Sequence, residues 1–273
     1  MEALTFYPFG DEPMLSFYNG AYDKAFIAFH PFYAIPGQHS RSYHSKTVHV
    51  ERSELDADLS GSQLLAAVDG IAKKHRSGKL GPELVDTLAK REGLKIGWEQ
   101  VGRGAGLSTF GAVNSALMTG IGALRTEWTD PVGASRLERY CDENALFMPA
   151  EGCFQAVMER SIARLFRDAE VDDVEAATEF DEAPQRLRPG ALDGDTPWDV
   201  AGALSKCVKR LFAADRSLLV VVEWDSFVTL ICGRAEKLQQ VRMSELFDGF
   251  WCDASTSHVW WHEQPRAFEL NGG

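Results

Sequence analysis

The sequence predicts an α+β fold, mainly helical in its first two thirds, with a small antiparallel sheet built around a C-terminal hairpin. Three observations predict it. Helical spacing recurs between residues 60 and 168, the longest strand-like apolar runs lie at residues 217–232, and four of the seven tryptophans fall within residues 217–262. Clustered aromatics next to apolar strands mark the place where a sheet gains most from burial.

In the hairpin, Leu218, Val220, Val222 and Trp224 point to one face of an extended segment, and Leu219 and Val221 to the other. Both faces are apolar, as in a central strand, with Glu223 the first polar residue on the second face. A second run, residues 227–232, is rich in β-branched and aromatic residues and closes at Gly233. Asp225-Ser226 matches poorly the Asn-Gly or Asp-Gly pair of a two-residue turn, which points to a longer loop.

Along the chain, residues 1–24 are aromatic and turn-rich and read as an irregular flap. Residues 24–29, KAFIAF, read as a strand that joins the sheet and ends at Pro31. Residues 47–50 read as a brief second strand. Leu64, Val68, Ile71, Ala72 and His75 carry helical spacing that stops near Gly78, and a further helix starts at Pro82 and runs to about Arg91. Val113, Leu117, Ile121, Leu124 and Trp128 form the stripe of an uncharged central helix. Helices are also expected over residues 135–143, 151–168 and 198–213, and the stretch after Asp168 reads as partly helical to Glu179.

The domain reading is a mostly helical region at 1–167, an acidic linker or surface loop at 168–197, and a C-terminal region at 198–273 packed with the first as one unit. The 273 residues carry 28 basic and 40 acidic side chains, a net charge of −12. Between Asp168 and Asp199 there are 11 acidic residues and 2 arginines, a net of −9, which leaves −3 for the rest of the chain. The charge is local. An acidic chain without clustered Lys and Arg argues against nucleic-acid binding, although residues 82–103 resemble a helix-turn-helix in outline.

Residues 104–124 hold no charged side chain and are long enough to span a bilayer, but five glycines, Asn114, two serines and two threonines fit a buried helix in a water-surrounded core better. Five cysteines, odd in number, widely spaced and without a CxxC pair, fit reduced thiols. The N-terminus has no basic region followed by an apolar stretch, so the expected location is cytoplasmic.

Three constellations carry chemistry. Glu223 and Asp225 flank Trp224 at a strand end, where paired carboxylates hold a divalent cation or divide acid and base roles, with His30 as a further candidate catalytic residue. His30 opens a group with His39, His44 and His49 whose spacing matches no common ligand frame. Cys252, His258 and His262 form a candidate zinc or other divalent-metal set, with the two histidines four residues apart. The third is the acidic stretch, where Asp172, Asp173, Glu175, Glu179, Asp181 and Glu182 would steer a basic partner.

The glycines at 102, 104 and 106 lack the lysine and spacing of a phosphate loop. The leading expectation is a non-enzymatic protein-binding module that neutralises a basic protein, as immunity proteins do, although no motif ties the chain to them. The alternative is a metal-assisted hydrolase or phosphotransfer-type enzyme with a carboxylate and histidine site. Cofactor, partner identity and oligomeric state stay open.

Overall fold

In the computed structural model, which describes residues 5–8, 12–43, 55–56, 59, 61–178, 184–197 and 208–268, nine strands can be followed. They are β1 (Lys24–Phe29), β2 (Phe32–Ala34), β3 (Leu94–Ile96), β4 (Val174–Thr178), β5 (Gln185–Leu187), β6 (Val208–Ala213), β7 (Leu218–Val222), β8 (Val228–Gly233) and β9 (Gly249–Trp251). The helices are α1 (Met14–Phe17), α2 (Gly61–Arg76), α3 (Pro82–Glu92), α4 (Trp98–Gly104), α5 (Phe110–Gly120) and α6 (Pro131–Glu143). They continue with α7 (Glu159–Asp168), α8 (Ala235–Leu238), α9 (Met243–Leu246) and α10 (Trp260–Glu263).

The expectation of a small sheet around one hairpin is overturned. Seven strands form a single antiparallel sheet in the order β5-β4-β6-β7-β8-β1-β9, and β2 pairs with β3 in a second, two-stranded sheet. The hairpin itself, β7 with β8, sits in the middle, joined by residues 223–227. Every residue of β6, β7 and β8 is buried, which requires cover on both faces.

The cover follows the strand alternation. On one face Leu218, Val220 and Ile231 pack with Val85 of α3, Ile162 of α7 and Leu246 of α9. On the other, Leu219, Val221, Leu230 and Cys232 pack with Trp98 of α4, Val113 of α5, Leu137 of α6 and Trp260 of α10. The sheet is therefore the middle of three layers, and its N-terminal strand β1 lies between β8 and β9.

Other corrections share a physical cause. Residues 208–213, expected to end a helix, form β6, because six residues interrupted by Lys209 and Arg210 are too short a pattern to separate the two periods. Residues 198–207 of that expected helix lie outside the described residues, as does the strand expected at 47–50. The stretch expected as helical to Glu179 instead carries β4, paired with β5 and β6. Its Val174, Ala176 and Ala177 are buried in the sheet, and tertiary pairing overrides the helix propensity of its Glu and Ala residues.

The uncharged helix is shorter than its expected stripe: α5 stops at Gly120, so Ile121, Leu124 and Trp128 lie beyond it, the last in a 3-10 turn at Thr126–Trp128. Gly106, with φ of +72°, turns the chain between α4 and α5. Thr109 then caps α5 by accepting from the N–H of Ala112 at 3.0 Å. The helix expected from residue 151 begins only at Glu159, after a single 3-10 turn at Ala156–Met158. Among the described residues no helix is long and apolar enough to cross a membrane.

Candidate functional site

Beyond Val222 the chain leaves the sheet, and the alternation that buries Leu219 and Val221 against the α5 layer carries Glu223 to the same side. Glu223 is half-buried, and Trp224 and Asp225 are exposed. The five-residue connection to β8 is held from beneath by Gly152. Its N–H donates to Ser226 O at 2.8 Å, its φ is +56°, and a methyl group placed on it would lie 1.8 Å from Trp224 O. Only glycine lets the two backbones approach this closely.

This loop forms one lip of a cavity of about 600 Å³ between the sheet and the α5–α10 layer. The sheet wall supplies Lys209, Arg210, Val221 and Glu223. The helix wall supplies Asn114 and Met118 of α5, with Trp128, Trp260 and Trp261 beside them. Asp225, Arg125 and His258 complete the polar lining, and Phe6 and Tyr7 close one side.

The two cations on β6 are almost fully buried, with 7% and 5% of their surface exposed. Lys209 donates to Gly152 O, and its ammonium lies 4.1 Å from the centre of the Trp224 ring. Arg210 donates to Thr178 O through Nε at 3.2 Å and Nη2 at 2.8 Å, and to Thr5 Oγ1 through Nη1 at 3.0 Å. Its guanidinium also stacks 4.0 Å from the Phe6 ring. Arg210 thus ties the N-terminal segment and the end of β4 to the cavity wall. Burial holds the Tyr7 phenol well above its ordinary pKa, and the Glu223 carboxylate adds to the effect, so this hydroxyl stays protonated.

Of the candidate catalytic residues, the structure brings Glu223 and Asp225 to the cavity and leaves His30 inside the core. His30 is fully buried, its Nε2 shares a hydrogen bond with Thr229 Oγ1 at 2.9 Å, and its backbone carbonyl accepts from Trp98 Nε1 at 2.7 Å. Burial drives its pKa down to about 3, so the ring is a neutral structural link. His39 caps a turn by accepting from Arg41 N at 3.1 Å, and His44 and His49 lie outside the described residues.

The candidate metal set is dispersed. His258 lines the cavity, whereas His262 lines a separate shallow depression and packs 4.9 Å from the Trp128 ring. Burial pushes the Cys252 thiol up to about 12, which disfavours the thiolate that would bind a metal. Among the described residues no three His, Cys, Asp or Glu side chains gather where they could hold a metal ion.

The acidic stretch meets arginines of its own chain. Three come from α7: Arg160 pairs with Asp195 at 2.8 Å, Arg164 with Asp168 at 3.2 Å, and Arg167 with Asp193. Glu175 pairs with Arg216 at 2.8 Å, and Asp173 lies 4.0 Å from Arg186. Asp172 is exposed, and Glu179, Asp181 and Glu182 lie outside the described residues.

Sequence reasoning missed Lys209, Arg210, Arg125, Trp128 and Asn114 as site residues. Asn114 did carry a signal, being the only side-chain amide in the uncharged run of residues 104–124.

A family model described as "Protein of unknown function (DUF2711)" matches residues 65–262, more than half of the chain. No curated protein matches the chain. No solved structure matches it either.

Proposed function

The chain belongs to the DUF2711 family, whose description states no activity, and we propose that it binds a small organic molecule in the cavity between the β6–β8 wall and α5. The observation that carries this reading is the cavity itself. At about 600 Å³ it lies within the range of about 300–1,000 Å³ usual for ligand sites. Its lining combines tryptophans with a few convergent polar groups, the composition that orients a small ligand.

An enzyme acting on that molecule is the second reading, favoured by one observation: Glu223 and His258 line the same cavity, an acid and a base with access to one ligand. Docking of a basic protein on the acidic stretch has less support, because most of its described carboxylates are in ion pairs with arginines of the same chain. A cytoplasmic location is our expectation too, supported by four free thiols among the described residues.

The test is a thermal-shift screen of a small-molecule fragment library against the wild-type chain and Met118→Trp, a substitution that fills the cavity from a half-buried position. Fragments that stabilise the wild type, compete with one another and lose their effect in Met118→Trp are the expected result. A library with no stabilising fragment, or fragments indifferent to Met118→Trp, defeats the reading.

A further inference from the structure

Asn114 stands out among the cavity residues. It lies on α5 with 4% of its surface exposed, and it lines the cavity beside Met118. Among those residues its side chain makes a single hydrogen bond, from Nδ2 to the Met118 sulfur at 3.0 Å, and its Oδ1 makes none. A thioether is a weak acceptor, and a buried amide ordinarily satisfies both ends. Turning the amide by half a revolution exchanges the ends and still leaves one of them open to the cavity.

An apolar residue in this place would complete the α5 packing that Val113 and Leu117 already make. The amide instead leaves one polar end open to whatever occupies the cavity, water or ligand. Around it the cavity is lined by indole rings. Trp260 and Trp261 line it from nearly buried positions, and Trp128, whose ring stands at 80° to that of Trp261, has the Arg125 guanidinium 5.3 Å from its ring centre.

We infer that the cavity takes a planar nitrogen heterocycle of the nucleobase type, stacked among the tryptophans with its adjacent donor and acceptor paired to the Asn114 amide. An amide carries one acceptor and one donor side by side, the complement of the edge that a cyclic amide or amidine presents. Stacking holds any flat ring, and the amide selects rings with that edge. The inference rests on the proposed ligand cavity and names the class of its ligand.

The experiment titrates the full chain with adenine, uracil and indole, read by tryptophan fluorescence and calorimetry, in the wild type, Asn114→Leu and Met118→Trp. Indole is flat and of similar size but has no acceptor beside its N–H. Saturable binding of adenine or uracil, about tenfold tighter than indole, is the expected result in the wild type. Asn114→Leu is expected to weaken the base by about tenfold and leave indole unchanged, and Met118→Trp to abolish both.

Equal affinity for bases and indole overturns the inference without any variant, so it stands or falls even if Asn114→Leu fails to fold. Unchanged base affinity in a folded Asn114→Leu also overturns it. Failure of both bases while library fragments bind in the cavity overturns the nucleobase assignment and leaves the cavity reading standing. Failure of every compound removes both.

Discussion

Lys90 and Glu159 form an ion pair with no more than 2% of either side chain exposed, joining α3 to α7 on the face of the sheet opposite the cavity. The Lys90 ammonium also donates to Thr196 O at 2.9 Å, so it fastens the end of the acidic stretch to the same point. Two buried charges are tolerable only together, since removing one strands the other in a poorly polarisable core.

Lys90→Met is expected to destabilise the fold by about 3–5 kcal/mol. The double substitution Lys90→Met with Glu159→Leu is expected to recover most of that loss, because it removes both charges and fills the space with apolar atoms. Urea unfolding of the two variants against the wild type checks this. Equal losses in the single and double variants would assign the site's worth to the Thr196 contact instead.

His30 makes stability depend on pH with a definite sign. Its folded pKa is about 3, against about 6.5 for an unfolded histidine. Between these values the unfolded chain takes up a proton that the folded chain refuses, so stability from this residue is full above pH 6.5 and is lost as pH falls towards 3. The limiting slope is about 1.4 kcal/mol per pH unit. His30→Gln, which keeps a donor near Thr229, is expected to flatten the loss between pH 6.5 and 5. Denaturation midpoints of both proteins at three pH values measure it, and identical slopes would refute the assignment.

Gly152 and Gly106 separate two reasons for glycine. Both have positive φ, but a methyl group on Gly106 meets nothing within 4 Å, whereas on Gly152 it meets Trp224 O. Gly106→Ala is expected to cost only the left-handed backbone strain, about 1 kcal/mol. Gly152→Ala is expected to cost more than twice as much, to displace residues 223–227 and to weaken binding of any cavity ligand. Thermal melts of the pair, together with fluorescence of the half-exposed Trp224, distinguish them.

How far the fold could be read from sequence depends on where each element draws its stability. β7 and β8 are legible because five consecutive apolar residues in one, and a β-branched and apolar run broken only by Thr229 and closed by Gly233 in the other, fit a covered sheet. α3 announces itself through Pro82 at its first turn and Gly93 beyond its end. β6 is hidden because Lys209 and Arg210 interrupt its apolar run, and their charges are held by Gly152, Thr178 and Thr5, far away in the chain.

β4 is hidden by its alanines and glutamate, which suit a helix in isolation. The pairing of Arg160 with Asp195 and of Arg167 with Asp193 is likewise absent from any local count of charge. At the site, Glu223 and Asp225 could be found from their position at a strand end. Asn114 acquires meaning only once α5 is seen to turn it towards the tryptophans.

The placement of β1 between β8 and β9 sets a timetable for the growing chain. Lys24 pairs with Gly233, and the Thr5 hydroxyl meets Arg210, a partner 205 residues further on. At roughly 5–20 residues per second on the ribosome, these early segments wait on the order of 10–40 s for their neighbours. During that interval Phe26, Ile27 and Phe29 have no sheet to enter, so nascent chains stalled before residue 228 should be good clients for chaperones that shield extended apolar segments.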